Sequence, residues 1–177
     1  NAERATVHFN RNVLLGGFDG GLRVLAYESV EVHADKNSFV GVEDSNMIGY
    51  AEYFGGSGTD PSRATYSLEA SFTDNEFYLN PWGSPTDTLL LGLLASGTVL
   101  AEVSGNEFTG ATDGSVRVGW TGEHSPVTSM AVMGTVAFNT LRYSLGGGIL
   151  VNAGYYIECY VVGNDIMYVA PSSPTRG

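Results

Sequence analysis

The ten residues from Ala64 to Thr73, ATYSLEASFT, decide the fold class, because apolar and polar side chains alternate along them without a break. A period of two places the apolar residues on one face of an extended strand, whereas a helix needs spacings of three and four. We expect this strand to turn one face toward a core and the other toward solvent. The core face would carry Ala64, Tyr66, Leu68, Ala70 and Phe72.

Weaker alternation marks further strands at 5–10 and 130–138. The aromatic and β-branched segment 155–162, YYIECYVV, is typical of a strand buried on much of both faces. The apolar segment 89–103 is interpreted as two strands joined by a turn at 95–97. The alternative is one helix that begins after Asp87, which its two glycines and the pair Thr98-Val99 disfavour.

Short turn sequences separate several of these strands. Asp19-Gly20-Gly21, Asp113-Gly114 and Gly163-Asn164-Asp165 contain the residues that tolerate the positive φ of tight hairpin turns. They predict three antiparallel hairpins. Longer loops are expected at 55–62, 80–87 and 121–126.

Roughly nine to twelve short strands at this spacing are typical of a sandwich, jelly roll or barrel. The chain shows neither helix-strand alternation nor a fixed-period repeat. We therefore expect residues 1–177 to form a single all-β domain, an antiparallel sandwich or jelly roll with little or no helix. A closed β-barrel is the alternative, and 171–177 is expected to be an extended tail.

The charge composition argues against one class of partner. Only 15% of the 177 residues are charged, and the 8 basic residues are scattered and outnumbered by 19 acidic ones, which argues against nucleic acid as a partner.

The longest apolar segment is too short for a membrane helix. Cys159 is the single cysteine, so no intrachain disulfide is possible, and we expect a buried thiol. The chain starts at Asn1 instead of Met, which suggests a processed protein, extracellular or part of a virion.

Motifs for chemistry are lacking. The sequence contains no nucleophile elbow, phosphate-binding loop or closely spaced metal-ligating pair. His8, His33 and His124 are far apart in sequence, and we expect His8 and His33 on solvent faces. We predict no catalytic residues and no enzyme activity.

Acidic turns offer weak sites for a hard cation. Oxygen ligands for Ca²⁺ could come from Glu43 and Asp44, or from Asp74, Asn75 and Glu76, although neither segment has the spacing of a known calcium loop. The alternative is that these are solvated turns whose side chains bond their own backbone. No cofactor is otherwise expected.

One aromatic residue suggests a ligand. Trp82 lies in the proline-flanked loop NPWGSP, where an exposed ring could stack on a sugar. The alternative is that Trp82 folds back and closes one end of the domain.

These observations favour a non-enzymatic structural subunit that binds other copies of itself, in an extracellular filament or a viral coat or tail. Residues 1–15 could link subunits by adding a strand to a neighbour's sheet edge, with Val7, Phe9, Val13, Leu14 and Leu15 at the contact. Pairing of this segment within its own sheet is the alternative. The second hypothesis is a carbohydrate-binding module, with or without Ca²⁺, and the third is a β-barrel enzyme whose site is dispersed along the sequence.

Overall fold

The computed structural model describes residues 3–17, 21–42, 46–48, 65–79, 89–111, 114–120, 128–144 and 147–167. These residues form strands and corners without a helix, so no helix among them is long and apolar enough to cross a membrane. The strands are β1 Arg4–Asn10, β2 Val13–Gly17, β3 Arg23–Val24, β4 Ser29–Asp35, β5 Ser38–Val42, β6 Asn46–Ile48, β7 Ser67–Thr73, β8 Glu76–Tyr78, β9 Leu89–Leu93, β10 Thr98–Ser104, β11 Glu107–Thr109, β12 Gly114–Val118, β13 Ala131–Ala137, β14 Thr140–Arg142, β15 Ile149–Val151, β16 Tyr156–Val162 and β17 Asp165–Met167.

The strands build three parallel sheets that the chain visits in turn. Sheet A has the order β1-β4-β7-β10-β13-β16, sheet B the order β2-β5-β8-β11-β14-β17, and sheet C the order β3-β6-β9-β12-β15. Each interior strand pairs in parallel with its equivalents one coil earlier and one coil later, and each end strand pairs with one of them. The architecture is therefore a parallel β-helix, in which each of the first five coils contributes one strand to each sheet, the sixth contributes β16 and β17 among the described residues, and each coil stacks on the coil before it.

The predicted antiparallel sandwich or jelly roll is wrong, and so is the alternative of a closed barrel, because the sheets are parallel and, in the part of the chain that the structure describes, their first and last strands do not pair with each other. The three predicted hairpins are also wrong. Each turn sequence lies between strands of different sheets: β2 and β3, β11 and β12, and β16 and β17. Turn residues change the direction of the chain in either case. The fold depends on whether the next strand returns beside the last one or passes on to another sheet, and local turn chemistry does not specify that.

The predicted alternation is confirmed within β7, where Leu68, Ala70 and Phe72 are buried. It is wrong for Tyr66, which precedes the strand and is exposed, and Ala64 lies outside the described residues. In-register stacking then places the inward residues of successive coils in columns along the axis, and these columns form the core. In sheet B one such column contains the parallel stacked rings of Phe39, Phe77 and Phe108, with centroids 4.8 and 4.7 Å apart.

A ladder of asparagines fixes the corner between sheets A and B. Asn12, Asn37, Asn75, Asn106, Asn139 and Asn164 occupy the same place in successive coils. In each interior link, the backbone N–H and side-chain amide of one asparagine donate to the side-chain oxygen of the next, as from Asn75 to Asn106 at 2.9 Å. The second amide hydrogen donates to a main-chain carbonyl, which for Asn75 is that of Ala34. Buried polar groups of the corner are satisfied in this way within the interior of the β-helix.

The residue before each ladder asparagine adopts positive φ, which turns the chain sharply from one sheet into the next. It is Arg11, Lys36, Asp74, Gly105, Phe138 or Gly163, with φ between 53° and 67°. Together with the asparagine it makes every corner between sheets A and B two residues long. Elsewhere the coils differ in length, since ladder asparagines are separated by 25, 38, 31, 33 and 25 residues. This variation is the reason that the sequence shows no fixed period.

The apolar segment 89–103 forms strands β9 and β10, as predicted, and not a helix. β9 is buried along its whole length, so this segment belongs to the core. The expectation for 155–162 is wrong. β16 is the last strand of sheet A, and six of its seven residues are exposed.

Candidate functional site

The outer face of sheet A carries the polar side chains of the strands in two central columns. One column runs Thr6, Glu31, Glu69, Leu100, Met133 and Glu158, and the other runs His8, His33, Ser71, Glu102, Thr135 and Tyr160. Residues far apart in sequence thus become neighbours about 4.8 Å apart across the sheet. This face is the first candidate for a functional site.

At the N-terminal end of this face, two histidines and a glutamate form a bonded group. The rings of His8 and His33 stack with centroids 5.1 Å apart, and His33 Nε2 lies 2.9 Å from Glu31 Oε1. Thr6 donates to the other carboxylate oxygen of Glu31 at 3.3 Å. The hydrogen bond with His33, and then that from Thr6, lowers the pKa of Glu31 below its ordinary value of 4.5. Glu31 is therefore held as a carboxylate by its neighbours.

Beside this group lies a shallow depression of about 370 Å³ on the middle coils. Its lining includes the carboxylates Glu69 and Glu102, the imidazole of His33, and the apolar side chains Leu100 and Met133. Carboxylates accept hydrogen bonds from hydroxyl groups, and an apolar surface accepts the C–H face of a sugar. The depression has the chemistry to bind a neutral polyhydroxylated ligand. Among the described residues no group of three potential metal ligands is present.

The calcium candidates are distributed differently. Asn75 uses its whole amide in the ladder: its oxygen accepts two bonds from Asn37, and its nitrogen donates to Ala34 and Asn106. No lone pair of that oxygen remains for a cation. Asp74 lies 3.7 Å from the Lys36 ammonium, and Glu76 accepts a hydrogen bond from Ser38 at 3.0 Å. Glu43 and Asp44 lie outside the described residues, as do Trp82, His124 and the predicted tail.

The two terminal coils form a second candidate surface. In the first coil, Val7, Phe9 and Leu14 face inward and are partly buried against the core, whereas Val13 and Leu15 are exposed. β1 pairs with β4 of its own chain, so the alternative predicted for this segment is observed on one side of the strand. The other edge of β1 has no strand beside it among the described residues.

The last coil leaves more apolar surface exposed. Ile157, Val161 and Ile166 occupy inward columns that are fully buried in the middle of the β-helix, yet they are 50%, 52% and 46% exposed. Cys159 lies between the first two on β16, and partial burial raises the pKa of its thiol. Tyr155, Tyr156 and Tyr160 add exposed aromatic rings on the same coil. This end presents an apolar ring, made of Ile157, Val161 and Ile166, together with an edge of sheet A that no other described strand covers.

Sequence reasoning missed both the ladder and the group around Glu31. The ladder has a local signal, since an apolar residue stands two positions after each of these asparagines, as in Asn37-Ser38-Phe39 and Asn106-Glu107-Phe108. Unequal spacing conceals it. The proximity of His8 to His33, or of Glu69 to Glu102, has no local signal, because it depends on the register between coils.

Comparison with known proteins adds nothing to these observations: no family model, no curated protein and no solved structure matches this chain.

Proposed function

We propose that the protein is a structural subunit whose copies assemble end to end through their terminal coils. The observation that carries the proposal is the half-exposed apolar ring of Ile157, Val161 and Ile166 beside the outer edge of β16, which has no further strand next to it among the described residues. The equivalent side chains of interior coils are buried by the next coil. A neighbouring molecule that covered the ring would do for this coil what each coil does for the one before it.

Two physical costs support the proposal. Half-exposed Val and Ile side chains forgo about 1 kcal/mol each of the stabilisation that full burial gives. An open strand edge also leaves backbone donors and acceptors that another strand could satisfy, and uncovered edges are a common route to association. Few charges oppose such contact, since only 15% of the residues are charged. Low charge reduces the desolvation that close contact between copies requires.

The size of particles in solution tests the proposal. The full chain is expected to form particles larger than one 18.7 kDa subunit in light scattering, with elongated shapes in electron microscopy. Ile157→Lys places a charge in the apolar ring and is expected to shift the population toward monomers. Leu100→Lys, the same kind of exchange at an exposed position in the middle of sheet A, is the matched control and should leave particle size unchanged. A monodisperse monomer at every concentration would contradict the proposal.

A second candidate function is carbohydrate binding at the depression on sheet A. It is favoured by the combination of the Glu69 and Glu102 carboxylates with the apolar Leu100 and Met133 in one depression. A glycan array is the test, with Glu102→Gln expected to weaken binding and Glu76→Gln, an exposed glutamate on sheet B, as control. If no glycan binds, or if Glu102→Gln binds as well as the unchanged protein, this candidate is excluded.

A further inference from the structure

The hydrogen bonds of the asparagine ladder run in one direction along the β-helix. Asn12 donates to Asn37, Asn37 to Asn75, and so on to Asn139, which donates to Asn164. Each interior asparagine therefore accepts from the coil before it and donates to the coil after it. The ladder is polar, like a row of aligned dipoles, and its two ends differ.

At the first coil the ladder ends in an acceptor. The side-chain nitrogen of Asn12 donates to Asn37 and to the carbonyl of Asn10, but its oxygen accepts no bond from any described residue. At the last coil the ladder ends in donors. The oxygen of Asn164 accepts two bonds from Asn139, and its amide donates to the Val136 carbonyl. Within the part of the chain that the structure describes, the second amide hydrogen and the backbone N–H of Asn164 lack the acceptor that interior coils provide.

From this polarity we infer that copies stack head to tail, with the first coil of one copy continuing the last coil of another in the register of the interior coils. This inference rests on the proposed function and specifies its contact. In that register Asn164 donates to Asn12 of the next copy. Head-to-tail stacking gives the Asn164 donors an acceptor and the Asn12 side-chain oxygen its donors, because it preserves the direction of the hydrogen bonds along the ladder.

The same register matches the apolar columns of sheets A and B. The interior pattern Val7–Val32 and Gly134–Cys159 continues as Cys159 against Val7 of the next copy. Ile157 then meets Ala5 and Val161 meets Phe9, so exposed inward side chains of the last coil cover partly buried ones of the first. In sheet B, Ile166 meets Leu14, which extends the column of stacked Phe rings.

Tail-to-tail pairing fits less well. It would pair β16 with its own copy in antiparallel orientation, which places the two Asn164 residues at opposite ends of the pair and leaves their donors without the asparagine oxygen that the interior register supplies. Cys159 is the central residue of β16, so a symmetric antiparallel pair centred on this strand would bring the two thiols together. Disulfide formation can therefore distinguish the two arrangements.

A cysteine exchange tests the register directly. Val7→Cys, with native Cys159 retained, places two cysteines opposite each other across the proposed contact at about 4.8 Å between Cα atoms, within the range for a disulfide. Within one molecule they are five strands apart, about 24 Å, and cannot bond. After mild oxidation we expect dimers, trimers and longer disulfide-linked species on a non-reducing gel, which collapse to the monomer on reduction.

Two controls and an alternative cysteine pair accompany this experiment. The double variant Val7→Cys, Cys159→Ser should give no disulfide-linked species on the gel. Phe9→Cys with native Cys159 is offset by two residues, which separates the Cα atoms by about 8 Å, beyond the reach of a disulfide, and it should link poorly. If Val7→Cys fails to fold, Ala5→Cys with Ile157→Cys in a Cys159→Ser background tests the same register.

The outcomes separate this inference from the proposed function. Wild-type dimers linked through Cys159 indicate tail-to-tail pairing, and linked dimers of the double variant indicate head-to-head pairing; either result overturns the inference and leaves self-assembly intact. Large particles that give no link with either cysteine pair show a different contact and also overturn it. Monomers at every concentration overturn both.

Discussion

The middle and the ends of this β-helix use equivalent positions for different results. Phe77 and Phe108, in the third and fourth coils, expose at most 1% of their surface to solvent. Ile166 occupies the same column in the last coil and is 46% exposed. The columns are continuous, and only the presence of a following coil differs. Burial in this architecture thus depends on neighbours along the axis more than on residue type.

The largest expected difference between middle and end comes from removing a side chain of the stacked column. Phe77→Ala should lower the free energy of unfolding by about 3–5 kcal/mol, because it leaves a cavity between Phe39 and Phe108. Ile166→Ala should cost about 1 kcal/mol, since half of the side chain is already in water. Urea denaturation of both variants measures the two values. Equal losses would show that the last coil is covered in solution.

The ladder gives the next largest contrast. Asn106→Leu removes the acceptor for two bonds from Asn75 and the donors to Asn139 and Phe72, and all these groups are buried. We expect a loss of about 3 kcal/mol. Asn12→Leu removes two side-chain bonds, to Asn37 and to the Asn10 carbonyl, and no acceptor for an earlier asparagine, so about 1 kcal/mol should be lost. If thermal or urea denaturation gave the same value for both, the ladder would be no more important inside than at its end.

Two glycines with positive φ sharpen the same comparison in the backbone. A Cβ at Gly134, in the fifth coil, would overlap the carbonyl of Ala101 on the neighbouring strand. Gly134→Ala should therefore cost about 2–3 kcal/mol, because strands must separate. At Gly16 in the first coil φ is 71° and no atom lies within 4 Å of the added Cβ, so Gly16→Ala should cost about 1 kcal/mol of backbone strain alone. The midpoint of urea denaturation checks this order, and a milder effect at Gly134 would contradict it.

The smallest expected effect concerns attachment of the first coil to the second. The hydrogen bond of the Glu31 carboxylate with His33, and then the bond that Thr6 on β1 donates to it, lower the pKa of Glu31 in the folded protein. A lowered pKa stabilises the fold above the ordinary value of 4.5, and this contribution is lost as the pH falls through the lowered value. Glu31→Gln should remove it. Hydrogen exchange of the β1 amides should differ between the two proteins near neutral pH and converge in acid, once the pH is below the lowered pKa of Glu31. A difference that persisted in acid would exclude Glu31 ionisation as its cause.

Strand positions were predictable from sequence because alternation is a local property. Leu68, Ala70 and Phe72 face the core as their spacing requires. Strand direction was not predictable, since a parallel and an antiparallel strand that bury one face have the same alternation. The turn at Gly163-Asn164-Asp165 illustrates the limit: its residues are those of a hairpin, yet Asn164 bonds the previous coil, and the chain enters a different sheet.

The candidate surfaces were predictable in part. Alternation along 5–10 puts Val7 and Phe9 on the face opposite His8, and the structure has His8 on the outer face and Val7 and Phe9 against the core. The group of His8, His33 and Glu31 was not predictable, because the coils differ in length and the register that joins them is set by the ladder. The exposed apolar ring of the last coil was not predictable either. Ile157 and Val161 have the composition of core residues, and their exposure depends on the register between coils.

The constant two-residue corner between sheets A and B has a consequence for how this chain tolerates change. Successive coils differ by as many as 13 residues, from 25 to 38, yet every ladder asparagine keeps its bonds to the next. Extra residues enter where the chain passes from sheet B to C or from C back to A. Those passages are therefore sites at which a peptide tag or a binding loop could be inserted into a coil, whereas one residue added beside Asn75 would lengthen the corner and break either the ladder bonds of Asn75 or the register of β8 with its neighbours.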